Sequence, residues 1–247
     1  MAKKYTTPGG TVYNLFTDAL AQPHLLIAGA TGSGKSVIIN GLIFTALHRL
    51  PGGPTGCNFI LIDPKRVELA QWANVPHVLR YASEPDQILS ALFCAMEICE
   101  TRYRAMQKKR LRKYDGPALY VIVDEFADLM TTQARTVKPL VQRLAQIGRA
   151  ARVHLIIATQ TPIAAVIPTQ IKCNFDARFG LRARSAQDSR NILDHGGLEN
   201  LPKYGQAVYM TPAGETLYNV PYIDDAQLAQ MAAFWKKQTR RGLFRRR

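Results

Sequence analysis

Four short apolar runs punctuate the chain: Leu25–Ala28, Phe59–Ile62, Tyr120–Val123 and Val153–Ala158. Each is of strand length, rich in Leu, Ile and Val, and bounded by turn or polar residues, as expected of a strand buried on both faces. Between them, Ser36–Leu50, Pro85–Arg112 and Val137–Ala151 repeat apolar residues at steps of three and four, which predicts helices. The alternation implies an α/β fold with a mostly parallel central sheet and helices on both faces. Pro51–Gly56 and Asp115–Pro117 are turn clusters, and there is no internal repeat or Pro/Ser-rich linker. The simplest partition is a lead over 1–23, one domain over 24–225, and a C-terminal helix with a basic tail over 226–247.

Composition narrows the class. The 247 residues are 47% hydrophobic and 20% charged, enough for an ordinary core and too apolar for a disordered chain. No window approaches the length of a membrane span, and MAKKYTTPGG lacks the apolar stretch of a signal peptide, so a soluble, cytoplasmic protein with no integral membrane segment is expected. Cys57, Cys94, Cys99 and Cys173 form no zinc-like spacing and are expected as reduced thiols, while the five histidines fit no catalytic pattern. The net charge is +14, yet it is local. Residues 101–113 and 236–247 each hold seven Lys and Arg and no acid, leaving the rest of the chain with as many bases as its 18 acids. Such runs suit a polyanionic partner, nucleic acid or an anionic membrane, or equally a solvated helix face and a solubilising tail.

Two motifs carry chemistry. Gly29-Ala-Thr-Gly-Ser-Gly-Lys-Ser36 fits G-x-x-x-x-G-K-[ST], between a predicted strand and a predicted helix. In that setting backbone N–H groups of Gly29, Ala30, Thr31, Gly32, Ser33, Gly34, Lys35, Ser36 and Val37 cradle phosphates. Lys35 reaches the β/γ-phosphates, and the Ser36 hydroxyl ligates Mg²⁺. The strand over 118–123 ends in Asp124-Glu125. Asp124 is placed to hold the Mg²⁺ and Glu125 to orient or deprotonate an attacking water, which favours hydrolysis of ATP over transfer to another acceptor. The bland reading of this pair is a helix start rich in acid. Gln160, at the end of the fourth run, is a candidate sensor of the γ-phosphate, or simply a strand end before Pro162. Arg149 and Arg152 read from spacing alone as surface arginines.

Taken together, several segments resemble the FtsK/SpoIIIE family of DNA-translocating ATPases: Pro23–Ser36, Leu61–Leu69 (LIDPKRVEL), Val121–Met130, Arg149–Gln160 and Asp188–Gly197 (DSRNILDHGG). The resemblance implies a RecA-like P-loop NTPase core that forms a homo-oligomeric ring, commonly a hexamer, around double-stranded DNA. It further implies that Arg149 is an arginine finger reaching the γ-phosphate of the neighbouring subunit. The segment from Gln160 to Arg190 would line the DNA channel. Lys172 and Arg190 match basic DNA-facing positions there, while Thr161 and Ala186 depart from the family pattern. Arg178, Arg182 and Arg184 lie close enough to compensate or to be strand-edge residues.

Longer relatives carry a membrane anchor, an extra domain and a winged-helix domain, so the chain is expected to be a bare motor. It would serve DNA transfer, segregation or mobile-element maintenance, with DNA-transfer or recombination proteins as further partners. Two other readings remain open on the residues: a conjugation-type coupling ATPase, and an ATP-switched DNA-binding replication or partition factor that does not translocate. The basic tail is expected to raise DNA affinity without belonging to the motor.

Overall fold

The computed structural model describes residues 10–49 and 56–237. Five strands at the centre and one side of the sheet run parallel: β1 (His24–Ala28), β2 (Cys57–Ile62), β3 (Val78–Ala82), β4 (Ala118–Val123) and β5 (Val153–Thr159). β6 (Ala177–Leu181) pairs parallel to β1, and β7 (Gln206–Thr211) and β8 (Gly214–Asn219) complete that side as antiparallel strands. The sheet order is β3-β2-β4-β5-β1-β6-β7-β8. The mostly parallel sheet read from the apolar runs is therefore present, with an antiparallel hairpin added at one edge.

Because successive strand residues face opposite sides, each central strand feeds two cores. Leu26, Ile60, Val121 and Leu155 pack with α3 (Pro85–Lys109), α4 (Phe126–Thr132) and α5 (Ala134–Ala151), whereas Leu25, Leu61, Ile122 and Ile156 pack on the opposite face. That opposite face is covered by α1 (Gly10–Ala21), α2 (Lys35–Arg49) and α8 (Asp225–Lys236). Two short helices, α6 (Thr169–Lys172) and α7 (Ala186–Leu193), flank β6 in the chain. Residues 1–23, read as a simple lead, thus contain a helix that contributes Leu15, Phe16, Ala19 and Leu20 to the core. Residues 238–247, most of the basic tail, lie outside the described residues, as do Leu50 and residues 51–55. Cys57 and Cys99 are buried and all four cysteines are free thiols.

One basic run is partly structural. Arg102 is buried in α3, and its guanidinium donates 2.9 Å bonds to the carbonyls of Ala151 and Arg152 at the C-terminal end of α5, the latter also accepting the Leu119 N–H. It also lies 4.6 Å from the centroid of the Tyr114 ring. Arg152 takes a left-handed conformation (φ 53°) at the helix cap, and its guanidinium bonds the Gly116 carbonyl at 2.7 Å.

His24, on β1, accepts the Leu155 N–H through Nδ1 at 3.0 Å, a bond that requires the neutral ring. Burial first, then the neighbouring His154, lower its pKa to about 4. The unfolded chain therefore takes up the proton first as pH falls, so this stabilisation is complete above about 6.5 and is lost progressively towards pH 4. Substituting His24→Asn keeps an acceptor without the titration. Between pH 7 and 4, wild type should lose about 3 kcal/mol more stability than the variant. Urea unfolding at both pH values measures the difference; equal losses would refute it.

Candidate nucleotide-binding and hydrolysis site

The glycine-rich loop leaves the C-terminal end of β1 and enters α2, so it sits in the crevice at the carboxyl ends of the parallel strands. Its path needs glycine. Gly32 and Gly34 have φ of +73° and +106°, in the region where a side chain is strained. A Cβ on Gly29 would lie 2.8 Å from Leu181 Cβ, 2.9 Å from Ser33 Oγ and 3.2 Å from the Arg182 carbonyl oxygen. The loop is held between two strand ends: Gly29 N–H donates to Thr159 O at 3.4 Å and Ala30 N–H to Arg182 O at 2.8 Å. Lys35 opens α2 and donates to the Gly29 and Ala30 carbonyls at 2.8 and 2.9 Å. Burial lowers its pKa to about 8, against the attraction of Glu125 and Asp124. Ser36 and Val37 follow in the first turn of α2.

Asp124 and Glu125 stand immediately beyond β4, two strands from β1. Glu125 is buried, and its carboxylate is nearly saturated by designated donors. Oε1 accepts the Thr159 hydroxyl at 2.8 Å and the Gln160 N–H at 3.1 Å, and Oε2 pairs with Lys65 Nζ at 3.2 Å. Gln160 in turn accepts the Thr31 hydroxyl at 2.6 Å through its side-chain oxygen. The structure therefore ties the phosphate loop, the acid and the end of β5 into one hydrogen-bonded path. Burial, then the charges of Glu68, Asp63 and Glu125, raise the Asp124 pKa to about 7 against the pull of Lys65. Asp124 supplies a hard carboxylate oxygen and Ser36 a hydroxyl, donor types that suit Mg²⁺, although among the described residues no cluster of three or more acidic, His or Cys side chains is assembled to hold a metal by itself.

Lys65 comes from the turn after β2. The Asp63 side chain accepts the Leu69 N–H at 2.9 Å and its carbonyl the Arg66 N–H at 3.1 Å, folding residues 63–69 into a tight turn. Sequence reading placed this segment in the family without giving Lys65, Asp63 or Thr159 a role. Their alternation with Pro and apolar residues says nothing of which carboxylate they meet.

The remaining expected residues divide. Arg149 is exposed at the C-terminal end of α5, which leads into the amino end of β5, so it lies at the opposite end of the sheet from this chain's own phosphate loop. It shares a cavity of about 380 Å³ with Tyr103, Arg112 and Lys113, the last two belonging to the 101–113 basic run. Arg178 is buried, with bonds to the carbonyls of Phe175 and Ile192 and, at 2.7 Å, to the Asp194 carboxylate. Lys172 pairs with the other oxygen of Asp194 at 2.6 Å. Although partial burial opposes it, these two bonds hold the Asp194 carboxyl below its ordinary range. Arg182, Arg184 and Arg190 are exposed, on the loop after β6 and on α7. Among the described residues, no helix is long and apolar enough to cross a membrane.

The profile of the FtsK/SpoIIIE family matches residues 9–117 and 112–164. The chain belongs to the FtsK/SpoIIIE family. It is 35% identical to the DNA translocase FtsK of Caulobacter vibrioides, over 94% of this chain and 33% of that protein, and 34% identical to that of Rickettsia prowazekii, over 90% and 36%. It thus spans about a third of the length of these relatives. Among solved structures, it resembles the pCW3 conjugation coupling protein TcpA bound to ATPγS (TM-score 0.75, 24% identity, 87% of this chain and 66% of that one). It also resembles the cytoplasmic domain of the Thermomonospora curvata type VII secretion ATPase EccC (TM-score 0.72, 20% identity, 88% and 28%). These likenesses establish the P-loop ATPase fold that the sequence motifs anticipate.

Because Leu181 Cβ and the Arg182 carbonyl leave no space at Gly29, a Gly29→Ala substitution should displace the phosphate loop. Nucleotide affinity is expected to fall at least about tenfold, with a stability loss of about 1–3 kcal/mol. Isothermal titration alongside thermal melting reads both, and unchanged affinity would contradict the packing described.

Proposed function

We propose that this chain hydrolyses ATP to drive movement along double-stranded DNA, acting as a homo-oligomeric ring, with a hexamer as the expected size. The observation that carries the reading is the division of the catalytic set. The phosphate loop, Asp124, Glu125 and Gln160 meet at one end of the sheet, and Arg149 stands at the other, so Arg149 can reach a γ-phosphate only on a neighbouring copy. The flanking Arg112 and Lys113 support that assignment, since a neighbour's triphosphate brings several negative charges to this cavity.

Lys35 binds the β/γ-phosphates, and Ser36 and Asp124 would hold Mg²⁺, which when bound would supply positive charge at the phosphates. Glu125 orients the attacking water and accepts its proton. Thr159 and the Gln160 N–H hold its carboxylate in place, while Gln160 reports the state of the phosphates through Thr31. The DNA contacts we assign to Arg182, Arg184 and Arg190, which are exposed, rather than to Arg178, whose guanidinium is committed within the fold. Lys172 joins them only by releasing Asp194. Contacts to phosphates rather than base edges suit a motor that moves on any sequence. The domain boundaries proposed are a motor over 24–225 supported by α1, with the basic tail as an accessory DNA-affinity element.

ATP turnover with and without duplex DNA at low salt tests the reading, and triplex displacement separates a motor from an ATP-switched binder. Hydrolysis that no DNA stimulates would reject the DNA motor. Glu125→Gln should retain ATP while lowering turnover by about 10²–10⁴. Lys35→Ala and Arg149→Ala should each be inactive alone, yet mixing the two should restore part of the activity, because an intact phosphate loop then meets an intact arginine. No recovery on mixing, with both variants assembled, would count against a shared site.

A further inference from the structure

The carboxylates and Lys65 occupy the β2–β4–β5 flank of the phosphate loop, so the reacting end of a bound triphosphate belongs there and its nucleoside end points to the other flank. That flank is built from β6 and the antiparallel hairpin. Since β7 runs against β6 and β8 against β7, the start of β7 and the end of β8 arrive at the same sheet end as the phosphate loop. The two strand ends are clamped together by the Val220 N–H, which donates to the Gly205 carbonyl at 2.9 Å. Gly205 takes φ +81°, which turns the chain into β7. A Cβ built on Gly34 would lie 3.4 Å from Leu181 Cδ2 and 3.9 Å from Val220 Cγ1, and one on Gly32 would lie 3.7 Å from Tyr204 Cε1. Leu181, fully buried, thus backs the loop from the core, while half-buried Val220 and exposed Tyr204 stand beside it. Tyr204 is nevertheless 62% exposed, a large ring left in water against a phosphate-binding loop. Lys203 Nζ lies 5.0 Å from its ring centroid.

We propose that Tyr204 is the stacking platform for the nucleobase of the bound nucleotide, with Val220 as the apolar contact beside it. The proposal rests on the reading of Gly29–Ser36 as an ATP site and adds which residue distinguishes a nucleotide from a bare polyphosphate. An aromatic face binds any base, purines best, because every base offers a π-surface of its own. The site therefore favours purines over pyrimidines by contact area and does not separate adenine from guanine.

The decisive experiment measures the affinity of the full chain for Mg-ATP and for inorganic tripolyphosphate, in wild type, Tyr204→Ala and Tyr204→Phe. Tyr204→Ala should weaken ATP about tenfold and leave tripolyphosphate unchanged, while Tyr204→Phe should match wild type. Quenching of ethenoadenosine triphosphate fluorescence on binding should be lost only in the alanine variant. Unchanged ATP affinity in Tyr204→Ala, or equal weakening of both ligands, would overturn the proposal. If wild type bound neither ligand, the ATP-site reading would fall first and this one with it, a pattern distinct from a Tyr204-specific failure.

Discussion

The site depends on how one buried carboxylate is satisfied. Glu125 is 2% exposed, and an isolated charge at that depth would cost several kcal/mol. It is tolerated because three donors from two strand ends converge on it: Lys65 after β2, Thr159 at the end of β5, and the Gln160 N–H just beyond. Each donor is fixed independently. The Asp63 turn carries Lys65, and the Thr159 oxygen also accepts the Thr161 N–H at 3.1 Å. This one carboxylate thereby fixes how the segments after β2, β4 and β5 leave the sheet.

Much of this frame was readable before any coordinates. The parallel strands β1, β2, β4 and β5 announced themselves because both of their faces are buried, leaving no polar alternation to confuse with a helix. β3, with the burial of an edge strand and the sequence VLRYA, and the hairpin β7–β8, mostly half-buried or exposed, lacked that signature. The helix over Gly10–Ala21 went unread because a short lead carries little local signal, and its stability comes from packing on α2. The phosphate loop and Asp124-Glu125 were legible because their spacing is the chemistry. Lys65, Thr159 and Tyr204 were not, since each acquires meaning only from a partner 30 or more positions away, or from a strand reversal that places it beside the loop.

Charge shows the same limit. The run over 101–113 read as one basic patch, yet its members do unlike things. Arg102 spends its charge inside the fold on the end of α5, Lys109 pairs with Asp115 at 3.1 Å, and Arg112 and Lys113 join Arg149 around a cavity at the amino end of the sheet. Likewise Arg178 looked equivalent to its neighbours Arg182 and Arg184, but strand alternation turns it inward to Asp194. Counting basic residues therefore overstates the surface available to a polyanion.

Of the basic residues that remain exposed, Arg182 and Arg184 lie beside the phosphate loop in space. The Arg182 carbonyl accepts the N–H of Ala30 in the phosphate loop, so the backbone on which Arg182 and Arg184 ride is bonded to the element that grips phosphate. Three residues past Arg182 the chain reaches Ser185, whose hydroxyl caps α7 by accepting the Asp188 N–H at 3.1 Å, and α7 carries Arg190. Ser189 on the same helix donates to the His195 carbonyl and accepts the Leu198 N–H, fixing α7 against the turn that follows. A displacement of the phosphate loop that strains the Ala30–Arg182 bond is thus delivered to a short, well-anchored helix with an arginine on its surface. The connection is only a few residues long and has no flexible linker in which to dissipate, which is the mechanical condition for turning a change at the phosphates into a change of grip.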